Sequence, residues 1–91
     1  MGDRPRYPRS SCVVPFCRRT STLFRGEWVC VEHWRMVDPA LRRLRGRLVR
    51  RWRRLGWLDE PGRWRAVERA YEGWWRRVKR QAIERAAGIV G

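Results

Sequence analysis

The sequence predicts a small, mainly α fold, in which a short segment of loops and a β-hairpin precedes an antiparallel two-helix hairpin. Three observations carry this reading. All three cysteines and the single histidine lie between residues 12 and 33 of the 91. Two apolar stripes of helical period follow Asp38. A chain of this length is also close to the size below which a hydrophobic core needs a metal, disulfides or a partner to hold it.

Residues 1–11, MGDRPRYPRSS, contain three arginines, two prolines and one large side chain, Tyr7. They bury too little to offset the entropy of ordering, so a flexible basic arm is expected. Residues 12–37 form the second part. Short β-like runs, Thr22 to Phe24 and Trp28 to Val31, flank Arg25-Gly26-Glu27 and predict a small hairpin there.

Residues 38–91 form the third part. Asp38 before Pro39 is an N-cap and first-turn pair, and Leu41, Leu44, Leu48, Trp52 and Leu55 follow on one helical stripe. Gly56 is the expected stop. GWLDEPG, residues 56–62, reads as the connection, with Asp59 as the next cap and Pro61 opening the second helix. Trp64, Val67, Tyr71, Trp74 and Val78 form its stripe. A short connection makes the helices antiparallel neighbours with facing seams.

The cysteines and histidine form two pairs, Cys12-x4-Cys17 and Cys30-x2-His33, twelve residues apart. Zinc takes four tetrahedral ligands of thiolate or imidazole type, and two close pairs on a short loop supply them at little closure entropy. Cys30 and His33 share the first turn of a helix, and the pair around Pro15 forms a knuckle. With four protein ligands the shell is closed, so a single Zn2+ here is structural. Thioredoxin-type redox chemistry wants a Cys-x-x-Cys, which is absent, and a Cys30–His33 nucleophile pair has no third residue to orient the base. The sequence therefore does not read as an enzyme.

These residues resemble a treble-clef zinc finger, the arrangement shared by ribosomal zinc proteins and HNH endonucleases. More closely, CVVPFC followed by WVCVEHWRMVDPALR is similar to small zinc-binding proteins of bacteriophages and prophages, in which Cys-x2-His-Trp leads into an arginine-rich helical tail. The likeness spans residues 12–45 in motif. It implies a treble-clef-like finger ahead of the helical hairpin, and a phage-encoded protein acting in the cytoplasm of a bacterial host. HNH nucleases need a further catalytic histidine, and His33 is already used.

The formal charge of +14, from 22 arginines and one lysine against nine acids, points to a polyanionic partner. Eight arginines fall within residues 42–54, and no acid lies between Asp38 and Asp59 to neutralise them. Arginine forks suit phosphates, so nucleic acid, DNA or RNA, is the expected partner. The candidate contacts are Arg42, Arg43, Arg47, Arg50, Arg51 and Arg54 on the first long helix, with Arg18 and Arg19 beside the finger. Trp52, Trp64 and Trp74 belong to the seams, and Trp34 is expected to pack the finger on the hairpin. Trp28, Trp57 and Trp75 are left as candidate contacts to a protein partner or a second copy. That is the competing reading: an interaction module modulating a host or phage complex. The odd cysteine count and the lack of a long apolar run argue against a disulfide framework, a signal segment and a membrane span.

Overall fold

A computed structural model of the chain describes residues 6–58 and 61–88; the side chains of 56–58 and 61 lie outside that description. Strands β1 (Ser10–Ser11) and β2 (Thr20–Ser21) form a two-stranded antiparallel sheet. Helix α1 spans Val31–Trp34, α2 Pro39–Leu58 and α3 Pro61–Ala86.

The β-hairpin lies upstream of its expected place. Ser10 pairs with Ser21 and Ser11 with Thr20, so the strands enclose the first ligand pair, and residues 22–30 carry no strand. The turn inside explains this. Val14-Pro15-Phe16-Cys17 closes with the Cys17 N–H donating to the Val14 carbonyl at 3.2 Å, with Pro15 at its second position and a positive φ of 68° at Phe16. That is the pattern of a type II turn, which reverses the chain and brings residues 10–11 against 20–21. Arg25-Gly26 still bends, with Gly26 at φ 94°, but Val13 takes the Trp28 carbonyl as its partner instead of a strand.

Within the expected arm, residues 7–11 are held by hydrogen bonds. Tyr7 donates its main-chain N–H to Thr22, and Arg9 Nη1 reaches Thr20 Oγ1 at 2.9 Å, so residues 7–11 are bound to the β2 region. Residues 1–5 lie outside the described residues.

Asp38 caps α2 as its sequence requires: its Oδ1 accepts from the Ala40 N–H at 2.8 Å. Its own N–H donates to Gln81 Oε1 at 2.9 Å, which ties the start of α2 to the end of α3. The helix runs through Gly56 to Leu58, so that glycine is not the stop. A lone glycine costs a helix only about 1 kcal/mol, less than the packing along the seam gains. The expected cap Asp59 lies outside the described residues.

The long helices pack along their stripes. Leu41, Leu48 and Leu55 are buried on α2, and Val67, Trp74, Val78 and Ala82 on α3. Trp74 donates its indole N–H to the Leu41 carbonyl at 2.6 Å, tying an α3 side chain to the α2 backbone. One cluster joins Leu41, Leu48, Trp74, Val78 and Ala82 to Cys12, Val14, Trp28, Cys30 and Val37, so the ligand segment and the hairpin share a core. Trp34 provides the link expected of it, meeting Trp74 edge-on at 6.0 Å.

Trp52 and Trp64 depart from their expected place in the core. They are 40% and 36% exposed and pack on each other, 5.6 Å between ring centroids. The ligand segment covers only the end of the hairpin where α2 begins and α3 finishes, and these two lie toward the other end. Among the described residues, nothing from the ligand segment covers the seam there, so it stays open on a side.

Candidate metal centre

The four ligand side chains converge. Cys12, Cys17, Cys30 and His33 place one ligand atom each within 4.8 Å of all the others. Each is brought there by local structure. Cys12 follows β1, and Cys17 closes the turn that Pro15 and Phe16 make. Cys30 is the N-cap residue of α1, with extended dihedrals of −70° and 163°, and the Trp34 N–H donates to its carbonyl at 2.8 Å. One turn on, His33 turns Nδ1 toward the sulfurs, 3.1 Å from Cys30 Sγ and 3.7 Å from Cys12 Sγ.

These separations suit one metal ion. For tetrahedral ligands at ordinary Zn–S and Zn–N lengths, S···S is about 3.8 Å and S···N about 3.6 Å. Cys17 and Cys30 Sγ are 4.0 Å apart, and the two S···N separations to His33 bracket the tetrahedral value. A disulfide would need about 2.05 Å, and all three cysteines are free thiols.

The protonation chemistry points the same way. Burial pushes the Cys12 thiol up, yet hydrogen bonds from the Val14 and Cys30 main chain and from the neighbouring thiols outweigh it and leave it below its ordinary value. The Cys30 N–H donates to Cys12 Sγ at 3.3 Å. Cys17 moves oppositely: burial and the sulfurs of Cys12 and Cys30 raise it, against a hydrogen bond from the Arg19 main chain. Three sulfurs this close resist joint ionisation unless a cation sits among them.

Around the centre, Cys12 and Cys30 are buried and Cys17 and His33 half-buried. Arg18 and Arg19 are exposed beside it, and Arg19 Nη2 pairs with Glu32 Oε2 at 3.5 Å.

The arginines predicted to contact nucleic acid fall into two groups. Arg43, Arg47, Arg50, Arg51 and Arg54 are exposed on α2. At 100° per residue, Arg43, Arg47, Arg50 and Arg54 share one strip opposite the leucine seam, and Arg51 flanks it. Arg42 is half-buried, and its Nε donates to the Val37 carbonyl at 3.1 Å, so it serves the start of α2 as well.

The three tryptophans set aside for a partner do not act as a group. Trp28 is buried, and its indole N–H lies 3.0 Å from Ser10 Oγ and 3.2 Å from the Ser10 carbonyl. A strand register upstream of the expected one puts Ser10 within its reach. Trp75 is half-buried and donates to Glu27 Oε1 at 3.3 Å. The side chain of Trp57 lies outside the described residues.

Sequence reasoning missed Glu27. It accepts from Lys79 Nζ at 3.1 and 3.2 Å as well as from Trp75, a bridge between the 22–30 loop and α3 that spans 52 positions and leaves no local signal. Among the described residues, no helix is long and apolar enough to cross a membrane. Comparison of the chain with family models, curated proteins and solved structures finds no match.

Proposed function

We propose that this protein is a zinc-stapled basic module that binds nucleic acid, mainly through its phosphates. The observation that carries the reading is the outer strip of α2. Arg43, Arg47, Arg50 and Arg54 are exposed on one face, α2 contains no acid, and none of these arginines forms an ion pair among the described residues. Such a strip repels itself, and a polyanion relieves that cost.

Zinc is the ion the three thiolates and one imidazole suit best, and four protein ligands leave no open position for a substrate or water. Its role is then to hold the knuckle and α1, and with them Trp34 against α3. The knuckle and the ligand pair opening a helix support a treble-clef-like finger. The motif's resemblance to phage and prophage proteins supports a phage-encoded protein working in a bacterial cytoplasm.

The test is a salt series of binding to duplex DNA and duplex RNA. Log affinity falls linearly with log salt, and Arg47→Ala and Arg50→Ala each lower the slope by about one without selecting among sequences. Binding that is absent, or flat with salt, rules the reading out. The exposed Trp52–Trp64 pair favours the second reading, a contact to a protein or another copy; partners that survive nuclease treatment of a bacterial lysate support it.

A further inference from the structure

A concavity of about 630 Å3 opens between the 24–29 loop and the two long helices. Its walls are aromatic. Phe24 stacks on Trp28 with the rings 7° from parallel and 5.4 Å apart; Trp28 is fixed from behind by Ser10, while Phe24 is 45% exposed. Trp34, Tyr71 and Trp75 line the same space, each half-buried.

Its charges are Arg25, Arg45 and Glu27. Glu27 is engaged by Lys79 and Trp75, whereas neither arginine forms an ion pair among the described residues. Two unneutralised cations disfavour a cationic guest such as a quaternary ammonium. Flat π-faces beside free guanidinium groups match a base joined to a phosphate.

The cleft does not end there. A second concavity of about 500 Å3 shares Arg45 and Tyr71 with it and adds Trp52, Trp64 and Arg53. Aromatic faces and arginines thus alternate from the ligand segment toward the far end of the hairpin. From Tyr71 to Trp64 is seven residues, about 10 Å along α3, which with the cleft gives room for about two or three nucleotides. This track lies to one side of the leucine seam, away from the Arg43–Arg54 strip.

We infer that the track holds unpaired nucleotides of a single strand, with bases against Phe24 and the Trp52–Trp64 pair and phosphates near Arg25, Arg45 and Arg53. The inference rests on the nucleic-acid reading above and deepens it: the outer strip of α2 answers to phosphate alone, the track to exposed bases. A duplex keeps its bases stacked and engages only the strip.

The experiment uses the metal-loaded full chain and four fluorescent probes at one salt concentration: twelve-residue oligothymidylate, oligouridylate, a twelve-base-pair duplex and an abasic phosphodiester of the same length. The pyrimidine strands bind at least about tenfold tighter than the abasic chain and quench tryptophan fluorescence, the weight of one or two stacked bases. Phe24→Ala and Trp64→Ala, both at exposed rings, each remove about tenfold from the pyrimidine strands and leave the abasic chain unchanged. If the abasic chain binds as tightly as the pyrimidine strands, or if both variants leave pyrimidine affinity intact, the track is disproved while phosphate binding by α2 stands. If no probe binds at that salt or at a tenfold lower one, both readings fall.

Discussion

Trp34 meets Trp74 edge to face at 6.0 Å, and this contact joins the segment of the Cys12–His33 cluster to the helical hairpin. Trp34 is the last residue of α1, one position after the ligand His33. Trp74 lies 3% exposed at the centre of the shared core and donates to Leu41 on α2. A change at the Cys12–His33 cluster is therefore two aromatic rings away from the backbone of α2.

Truncation at Trp74 should cost more than at Trp34. Trp74→Ala removes a buried indole and orphans its seam, an expected loss of about 3–5 kcal/mol, whereas Trp74→Phe keeps most of the packing and loses the hydrogen bond, about 1–2 kcal/mol. Trp34→Ala is expected to fall between them. Urea unfolding followed by far-UV circular dichroism measures all three, and a negligible change at Trp74→Ala would contradict the shared core.

Removing the metal should weaken the helices as well as the finger. Native mass spectrometry is expected to show one ion per chain. A strong chelator, or Cys17→Ser, is expected to lower the midpoint of the helical thermal transition, because Cys12 and Cys30 belong to the same cluster as Val78 and Ala82. An unchanged helical midpoint would mean that the hairpin folds independently.

Phe16 is a position where a substitution should stabilise. It holds φ at 68° with its side chain fully exposed, so the chain meets left-handed strain with no packing in return. Phe16→Asn or Phe16→Gly is expected to gain about 0.5–1 kcal/mol, the left-handed penalty less the added entropy of the unfolded chain. Denaturant midpoints of the metal-loaded variants check this.

Glu27 sets a small acid dependence. Hydrogen bonds from Lys79 and Trp75 hold its carboxyl below the ordinary range, so its contribution is present above that range and fades as pH falls through the lowered value. With its side chain 52% exposed, the pair is worth under about 1 kcal/mol and weakens with salt. Glu27→Gln should flatten the acid limb of the stability profile slightly. A steeper limb in the variant would reverse the sign argued here.

Much of the molecule was legible in one dimension because its signals are local. Cys12, Cys17, Cys30 and His33 were identifiable by type and spacing, and a turn of helix after Cys30 suffices to align the second pair. The Leu41–Leu55 and Trp64–Val78 stripes announced two helices through their period, and Asp38 announced where the first begins. The hairpin strands were misplaced because two residues a side carry almost no alternation. Their register follows from the Val14–Cys17 turn, where a phenylalanine occupies a position that ordinarily signals itself with glycine.

The sequence by itself determined the ligand set, the two amphipathic helices and the arginine excess on α2, since each depends on residues a few positions apart. Only the tertiary structure decided which tryptophans are covered. Trp28 is buried because the 7–11 segment folds back onto 20–22, and Trp52 and Trp64 are open because the ligand segment reaches one end of the hairpin only. Burial depends on what arrives from elsewhere in the chain, and so does the aromatic track, whose walls come from residues 24 to 75.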